Sequence, residues 1–185
     1  VSTPPLVVEP TPLEGLLVVR PRVFRDDRGA FQETWNAARY AEAGLGVTFE
    51  QDNVSVSHRG VLRGLHAQRA PHEQGKLVTV LRGRAFDVAV DIRAGSPTYG
   101  RWYGLELDGA AGTQLYIPPG FLHGFLALDD DTVFAYKCTT PYRPEAEFSV
   151  RWDDPALGIT WPLTDVVMSA RDASAATFHE LQHRG

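Results

Sequence analysis

The chain has 185 residues, 43% of them hydrophobic and 22% charged, and a formal net charge of −5. That composition supplies a core for one domain over 1–185, and leaves neither a basic block for a nucleic-acid backbone nor an apolar run long enough to span a membrane. The only cysteine, Cys138, excludes an intrachain disulfide framework, so the expectation is a soluble protein of the cytoplasm.

The opening stretch, VSTPPLVVEPTPLEG, is punctuated by proline and reads as a loose arm over 1–14, with no charged-then-apolar signal segment. FRDDRGAFQETW (24–35) places Arg28 and Gly29 in a turn, then alternates Phe31, Glu33 and Trp35. NAARYAEAGL (36–45) is the best helical stretch, capped by Asn36 and ended by Gly44 and Gly46. QDNVSVS (51–57) puts Gln51 and Asn53 on one strand face. Two readings stand for these amides: contacts to a planar polar ring such as a nucleobase, or cross-strand hydrogen bonds at a sheet edge.

GVLRGLHAQ (60–68) breaks an apolar run with Arg63 and His66, three residues apart. KLVTVLRG (76–83) follows, and Arg82-Gly83-Arg84 predicts a hairpin turn into FDVAVDIR (86–93). There Phe86, Val88, Val90 and Ile92 face one way, Asp87, Ala89 and Asp91 the other. RWYGLELD, QLYI, GFLAL, TVFAYKCT and FSVRW complete the strands, separated by GSPTYG, DGAAG, PPG and DDD. A second helix is expected near 173–182, within a C-terminal tail over 173–185. So many short strands and turns predict an all-β fold, a sandwich or barrel with a few short helices.

Of the six histidines, His66 and His123 sit beside glycine within apolar sequence. Each reads equally as a core histidine bonded to backbone or as a functional group. A barrel with two histidine-bearing strands suggests a cupin. Metal-binding cupins usually present two histidines one residue apart, then a glutamate, then a later histidine. Here Gln68 occupies the second position and Glu73 follows too closely, which leaves two ligands, short of a three-ligand site. Metal-free chemistry needs other polar groups, and Arg63, Lys76, Tyr136 and Lys137 lie in the same strands. Tyr136 taken alone also reads as an ordinary barrel aromatic.

FRDDRGAFQETW, QDNVSVSHRGVLRGLHAQ, QGKLVTVLRGRAFDVAVDIRAGSPTYGRW, LYIPPGFLHGFLAL, FAYKCTTPYRPEAE and WDDPALGITWP, in that order, resemble the dTDP-4-dehydrorhamnose 3,5-epimerases from about residue 15 to 172. The resemblance implies a cupin-type jelly roll, no metal and no organic cofactor. It implies epimerisation at carbon-3 and carbon-5 of a 4-keto-6-deoxyhexose on a nucleoside diphosphate. A proton beside the ketone leaves, an enolate forms, and a proton returns on the opposite face.

By that resemblance His66 is the base and Asp172, in SARD, its partner; Tyr136 is the acid and Lys76 the cation at the enolate oxygen. Arg28, Phe31 and Glu33 match an arm that reaches a neighbouring subunit of a homodimer. Gln51 and Asn53 match nucleotide-binding amides, Arg63 a diphosphate contact, His123 a second histidine near the sugar, and Tyr142 an aromatic stacked on thymine. Glu147 and Arg171 match outer contacts. From strand facing alone, Asp87 is a candidate to orient His123. Ala67 and Ala170 depart from the family pattern, where an aromatic and an acidic residue are common, and are expected to alter the fit of the sugar. Three alternatives remain: an epimerase acting at one carbon of an antibiotic sugar, a metal-dependent cupin, and a non-catalytic sugar-nucleotide binder.

Overall fold

The computed structural model describes residues 6–182. In chain order the elements are β1 (Val7–Pro10), β2 (Leu17–Arg20), β3 (Val23–Asp26), β4 (Gly29–Gln32), α1 (Ala37–Glu42), β5 (Gln51–Ser57), β6 (Leu62–Gln68), β7 (Lys76–Arg82) and β8 (Arg84–Asp91). Then come β9 (Trp102–Asp108), β10 (Gln114–Ile117), β11 (Phe121–Ala127), β12 (Thr132–Cys138), β13 (Glu147–Ser149), α2 (Ala170–Ala173) and α3 (Phe178–Gln182). Two antiparallel sheets result, one ordered β1-β2-β10-β7-β12-β5 and the other β13-β6-β11-β8-β9, beside a separate β3-β4 hairpin.

Alternation decides what each sheet turns inward. From the first sheet Val78, Val80, Leu115, Ile117 and Phe134 meet Ala85, Ala89, Leu107, Phe121 and Phe125 of the second. Phe125 and Phe134 stack across the gap with centroids 3.9 Å apart. Each of the valine, leucine, isoleucine and phenylalanine side chains taken from water contributes roughly 1.5–3 kcal/mol. The outer faces are covered as well. Val88, Val90, Leu122 and Leu126 pack under Leu157, Trp161 and Phe178 of the C-terminal segment. Tyr40 and Leu45, in and after α1, cover Val19, Leu77 and Tyr116. The helix is capped as expected, Asn36 Oδ1 accepting from the Arg39 N–H at 3.2 Å.

Several expectations need correction. The 1–14 stretch is not a loose arm where the structure describes it: β1 pairs with β2, and Leu13 is buried. Proline is tolerated there because β1 is an edge strand. The tail is likewise packed, since Phe178 of α3 belongs to the core and its amide donates to Asp154 at 2.8 Å. Gly83 does not close a hairpin. β7 and β8 lie in different sheets, so Gly83, at φ +75°, carries the chain across the sandwich.

One irregularity positions the site. His123 pairs with His66, but Phe125 pairs with Arg63, so β6 carries one extra residue opposite β11. This bulge at Gly64-Leu65 shifts the alternation. Leu62, Leu65 and Ala67 point to the outer cluster, while Arg63 and His66 both point between the sheets. Gly64 adopts φ +128°, and a Cβ there would lie 2.5 Å from the Gly124 Cα and 2.8 Å from the His123 carbonyl oxygen. Gly64→Ala therefore forces β6 and β11 apart, and is expected to cost about 2–4 kcal/mol. Urea denaturation reads this directly; an unchanged midpoint contradicts the close-approach account.

Candidate active site

At one end of the sandwich the inward residues part around a cavity of about 630 Å³. The first sheet contributes Lys76 from β7, Tyr136 and Cys138 from β12, and Gln51 and Asn53 from β5. The second contributes Arg63 and His66 from β6 and His123 from β11. Tyr142, Glu147, Arg171 and Asp172 line it from later segments. Tyr136 and His66 thus come from opposite sheets, a placement that alternation on each strand dictates once the bulge is counted.

His66 Nε2 lies 2.6 Å from Asp172 Oδ1. Asp172 is buried in α2, whose N-cap Ser169 accepts the Asp172 N–H at 3.1 Å. Burial pushes the Asp172 carboxyl upward, but the His66 and Ser169 side chains and the Gly64 backbone outweigh it and hold the group below its ordinary range. A carboxylate that accepts at Nε2 leaves Nδ1 as the lone-pair nitrogen.

The second histidine is paired too. His123 Nε2 is 2.8 Å from Asp87 Oδ2, and both side chains are buried. Burial lowers the His123 pKa, opposed by Asp87 and reinforced by Lys76 and His66, so the ring is neutral at neutral pH. Among the described residues no three His, Cys, Asp or Glu side chains form a metal-ligand group. Gln68, in the position of a cupin's second ligand, instead clamps a loop: its amide donates to the His72 carbonyl at 2.6 Å and accepts from the Arg143 N–H at 2.6 Å.

Lys76 makes no hydrogen bond or ion pair with any described side chain. Burial lowers its pKa, with Cys138, Glu147 and Asp87 pulling the other way. Burial also raises the Tyr136 phenol, against the pull of Arg63, so Tyr136 holds its proton at neutral pH. Lys137 is corrected as a candidate: it points outward and pairs with Asp52 at 2.9 Å.

At the cavity mouth the Gln51 amide donates to Asn53 at 3.0 Å and accepts from the Tyr142 N–H at 2.7 Å. The Arg63 guanidinium is held by Ser57 Oγ at 3.3 Å. Tyr142 OH donates to Glu147 at 2.6 Å, and Glu147 also pairs with Arg171. Within one chain Arg28, Phe31 and Glu33 do not line this cavity. Arg28 pairs with Asp26, Phe31 is 69% exposed in the β3-β4 hairpin, and Glu33 pairs with Arg39. Neither Ala67 nor Ala170 lines it, so the departures at both positions lie off the pocket. Sequence reasoning missed Ser169, Phe125 and Cys138 as lining residues. The cap pattern Ser169-x-x-Asp172 was a usable signal for the first; inward parity on β11 and β12 was the signal for the others.

A family model described as dTDP-4-dehydrorhamnose 3,5-epimerase matches residues 10–180. The chain is 52% identical over 165 residues to the dTDP-4-dehydrorhamnose 3,5-epimerase of Methanothermobacter thermautotrophicus, covering 88% of this chain and 89% of that one. It superposes with a TM-score of 0.92 on the dTDP-6-deoxy-D-glucose-3,5-epimerase of Legionella pneumophila, solved in complex with dTDP-4-keto-L-rhamnose, at 47% identity over 97% of this chain and 96% of that one. With NovW, a 4-keto-6-deoxy sugar epimerase from the novobiocin gene cluster of Streptomyces spheroides, the TM-score is 0.93 at 37% identity, over 100% of this chain and 96% of that one.

Proposed function

The chain belongs to the dTDP-4-dehydrorhamnose 3,5-epimerase family, and from that premise we propose how its cavity performs the reaction. It is an isomerase, which epimerises carbon-3 and carbon-5 of dTDP-4-dehydro-6-deoxyglucose to dTDP-4-dehydrorhamnose in dTDP-L-rhamnose biosynthesis. The observation that carries the residue roles is the His66–Asp172 pair, at 2.6 Å, on the sheet opposite Tyr136.

His66 Nδ1 takes the proton from the carbon beside the ketone. Asp172 holds Nε2–H and stabilises the imidazolium that results. Lys76 sits at the ketone oxygen. Because burial weakens its hold on its own proton, the negative charge arriving on the enolate compensates the ammonium where water is scarce. Tyr136, protonated and on the other face, gives its phenolic proton to the carbon, inverting it, and is reprotonated from solvent; His66 releases its proton to solvent. The same cycle serves the second carbon. Neutral His123, fixed through Asp87, accepts from a sugar hydroxyl. Arg63 takes the diphosphate with its fork of donors, while Gln51, Asn53 and Tyr142 take the nucleobase.

The chain is read as one domain working without cofactor, in the cytoplasm, in keeping with a lone, buried, free thiol at Cys138. Among the described residues no helix is long and apolar enough to cross a membrane. The β3-β4 hairpin, with Arg28, Phe31 and Glu33, completes the site of a second copy. Exposed Phe24 and Phe31 on that hairpin, and exposed Val54, Val56 and Leu81 on the sheet, support a homodimer.

Incubation with dTDP-4-dehydro-6-deoxyglucose in heavy water tests the reading. Deuterium is expected at both carbons, and no exchange with folded protein refutes it. Exchange and inversion at one carbon alone supports the second reading, a single-carbon epimerase, which the likeness to ChmJ, a 3′-monoepimerase from Streptomyces bikiniensis at 37% identity and a TM-score of 0.90, favours. Tyr136→Phe is expected to keep wash-in of deuterium while inversion falls about 10²–10⁴-fold. Full inversion by that variant removes Tyr136 as the acid.

A further inference from the structure

We propose that Glu147 and the Tyr142 hydroxyl are positioning residues for the base, joining the nucleotide end of the cavity to the proton-transfer end. This rests on His66 being the base. The connection is continuous. The Gln51 side chain accepts from the Tyr142 N–H at 2.7 Å, and Tyr142 OH donates to Glu147 Oε2 at 2.6 Å. Glu147 Oε2 also takes the Arg171 guanidinium, at 2.5 Å. The next residue is Asp172, 2.6 Å from His66.

The parts differ in how firmly they are held. Glu147 lies on β13, hydrogen-bonded into the sheet beside β6, and its side chain is 12% exposed. Arg171 and Asp172 lie on α2, four residues long. A helix that short has little stability of its own. The charge-assisted bond from Glu147 to Arg171 therefore fixes where α2 presents Asp172. Glu147 Oε1 also lies 4.0 Å from His66 Nδ1, so the protonated ring meets a carboxylate on each side. A substrate contact alone explains neither the second hydrogen bond to Tyr142 nor the proximity to Nδ1.

A positioning role predicts a loss in kcat, where a substrate contact predicts a rise in KM. Tyr142→Phe keeps the ring and removes the hydroxyl; kcat is expected to fall about 3- to 10-fold with KM within about twofold. Glu147→Gln is expected to lower kcat about 10- to 100-fold. The second measurement is independent of turnover: the downfield proton resonance of the His66 Nε2–H, identified by its disappearance in Asp172→Ala. It is expected to shift or broaden in both variants. An unchanged resonance together with an unchanged kcat, or a change confined to KM, overturns the proposal. If His66→Ala proves active, the base assignment fails instead, while the resonance still reports whether Glu147 orders the pair. Tyr142→Phe removes one exposed hydroxyl, so the test survives if Glu147→Gln does not fold.

Discussion

His66→Ala is expected to suppress solvent-proton exchange at both carbons, while the protein still binds dTDP. The loss expected is about 10²–10⁴-fold in turnover, or roughly 3–5 kcal/mol of barrier. The side chain lies on the cavity wall rather than in the core, so dTDP affinity is expected to hold, while the loss of the partner that holds the buried Asp172 carboxyl down is expected to cost about 1–3 kcal/mol of stability. Asp172→Asn gives a graded control. The amide cannot accept at Nε2 with its N–H, so it favours the wrong tautomer, placing a proton on Nδ1 where the lone pair is needed. Its loss should approach that of His66→Ala without exceeding it. Exchange measured by NMR in heavy water decides the matter: His66→Ala with undiminished exchange at either carbon means that another group is the base there.

Lys76→Met is expected to cost about 10²–10³-fold in kcat, the usual consequence of losing one donor aimed at a developing oxyanion. Methionine keeps the stem and removes the charge. Burial penalises that charge in the folded protein, so the variant is expected to be at least as stable as the parent at neutral pH. The pH dependence has a definite sign. The folded-state pKa is lowered from 10.5, so between the two values the unfolded chain binds the extra proton and the parent gains stability as pH rises. The advantage of Lys76→Met therefore shrinks as pH climbs toward 10.5. Parallel urea titrations at several pH values check this, with kcat measured on the same samples. A variant that is both fully active and less stable contradicts the placement of Lys76 as a buried, destabilised cation.

Most strands are legible in the sequence because alternation and turn residues act locally. QLYI (114–117) is β10 to the residue, and TVFAYKCT overshoots β12 by one. The inward set on β5, Gln51 and Asn53, follows from the same period. So does Asp87, which alternation aims toward His123 and which the structure places 2.8 Å from it. Other features were not legible. A glycine at positive φ suits a tight hairpin and a sheet-to-sheet crossing alike, and only the partners of β7 and β8 distinguish them at Gly83. A proline-rich opening looks loose until an edge position gives it a partner.

By itself the sequence determined most of the strands, β1 and β2 excepted, the capped helix, the all-β class and, through the resemblance of its ordered motifs, the chemistry. The juxtaposition of side chains was decided by tertiary structure. Arg63 and His66, three residues apart, belong on opposite faces of a regular strand. They share the cavity because β6 has one more residue than β11 can pair, and Gly64 lets the two backbones meet at that point. The same shift turns Ala67 away from the sugar. A bulge is a mismatch between two strands, so no pattern within one of them records it; the partner strand, about sixty residues later, sets which way every following side chain points.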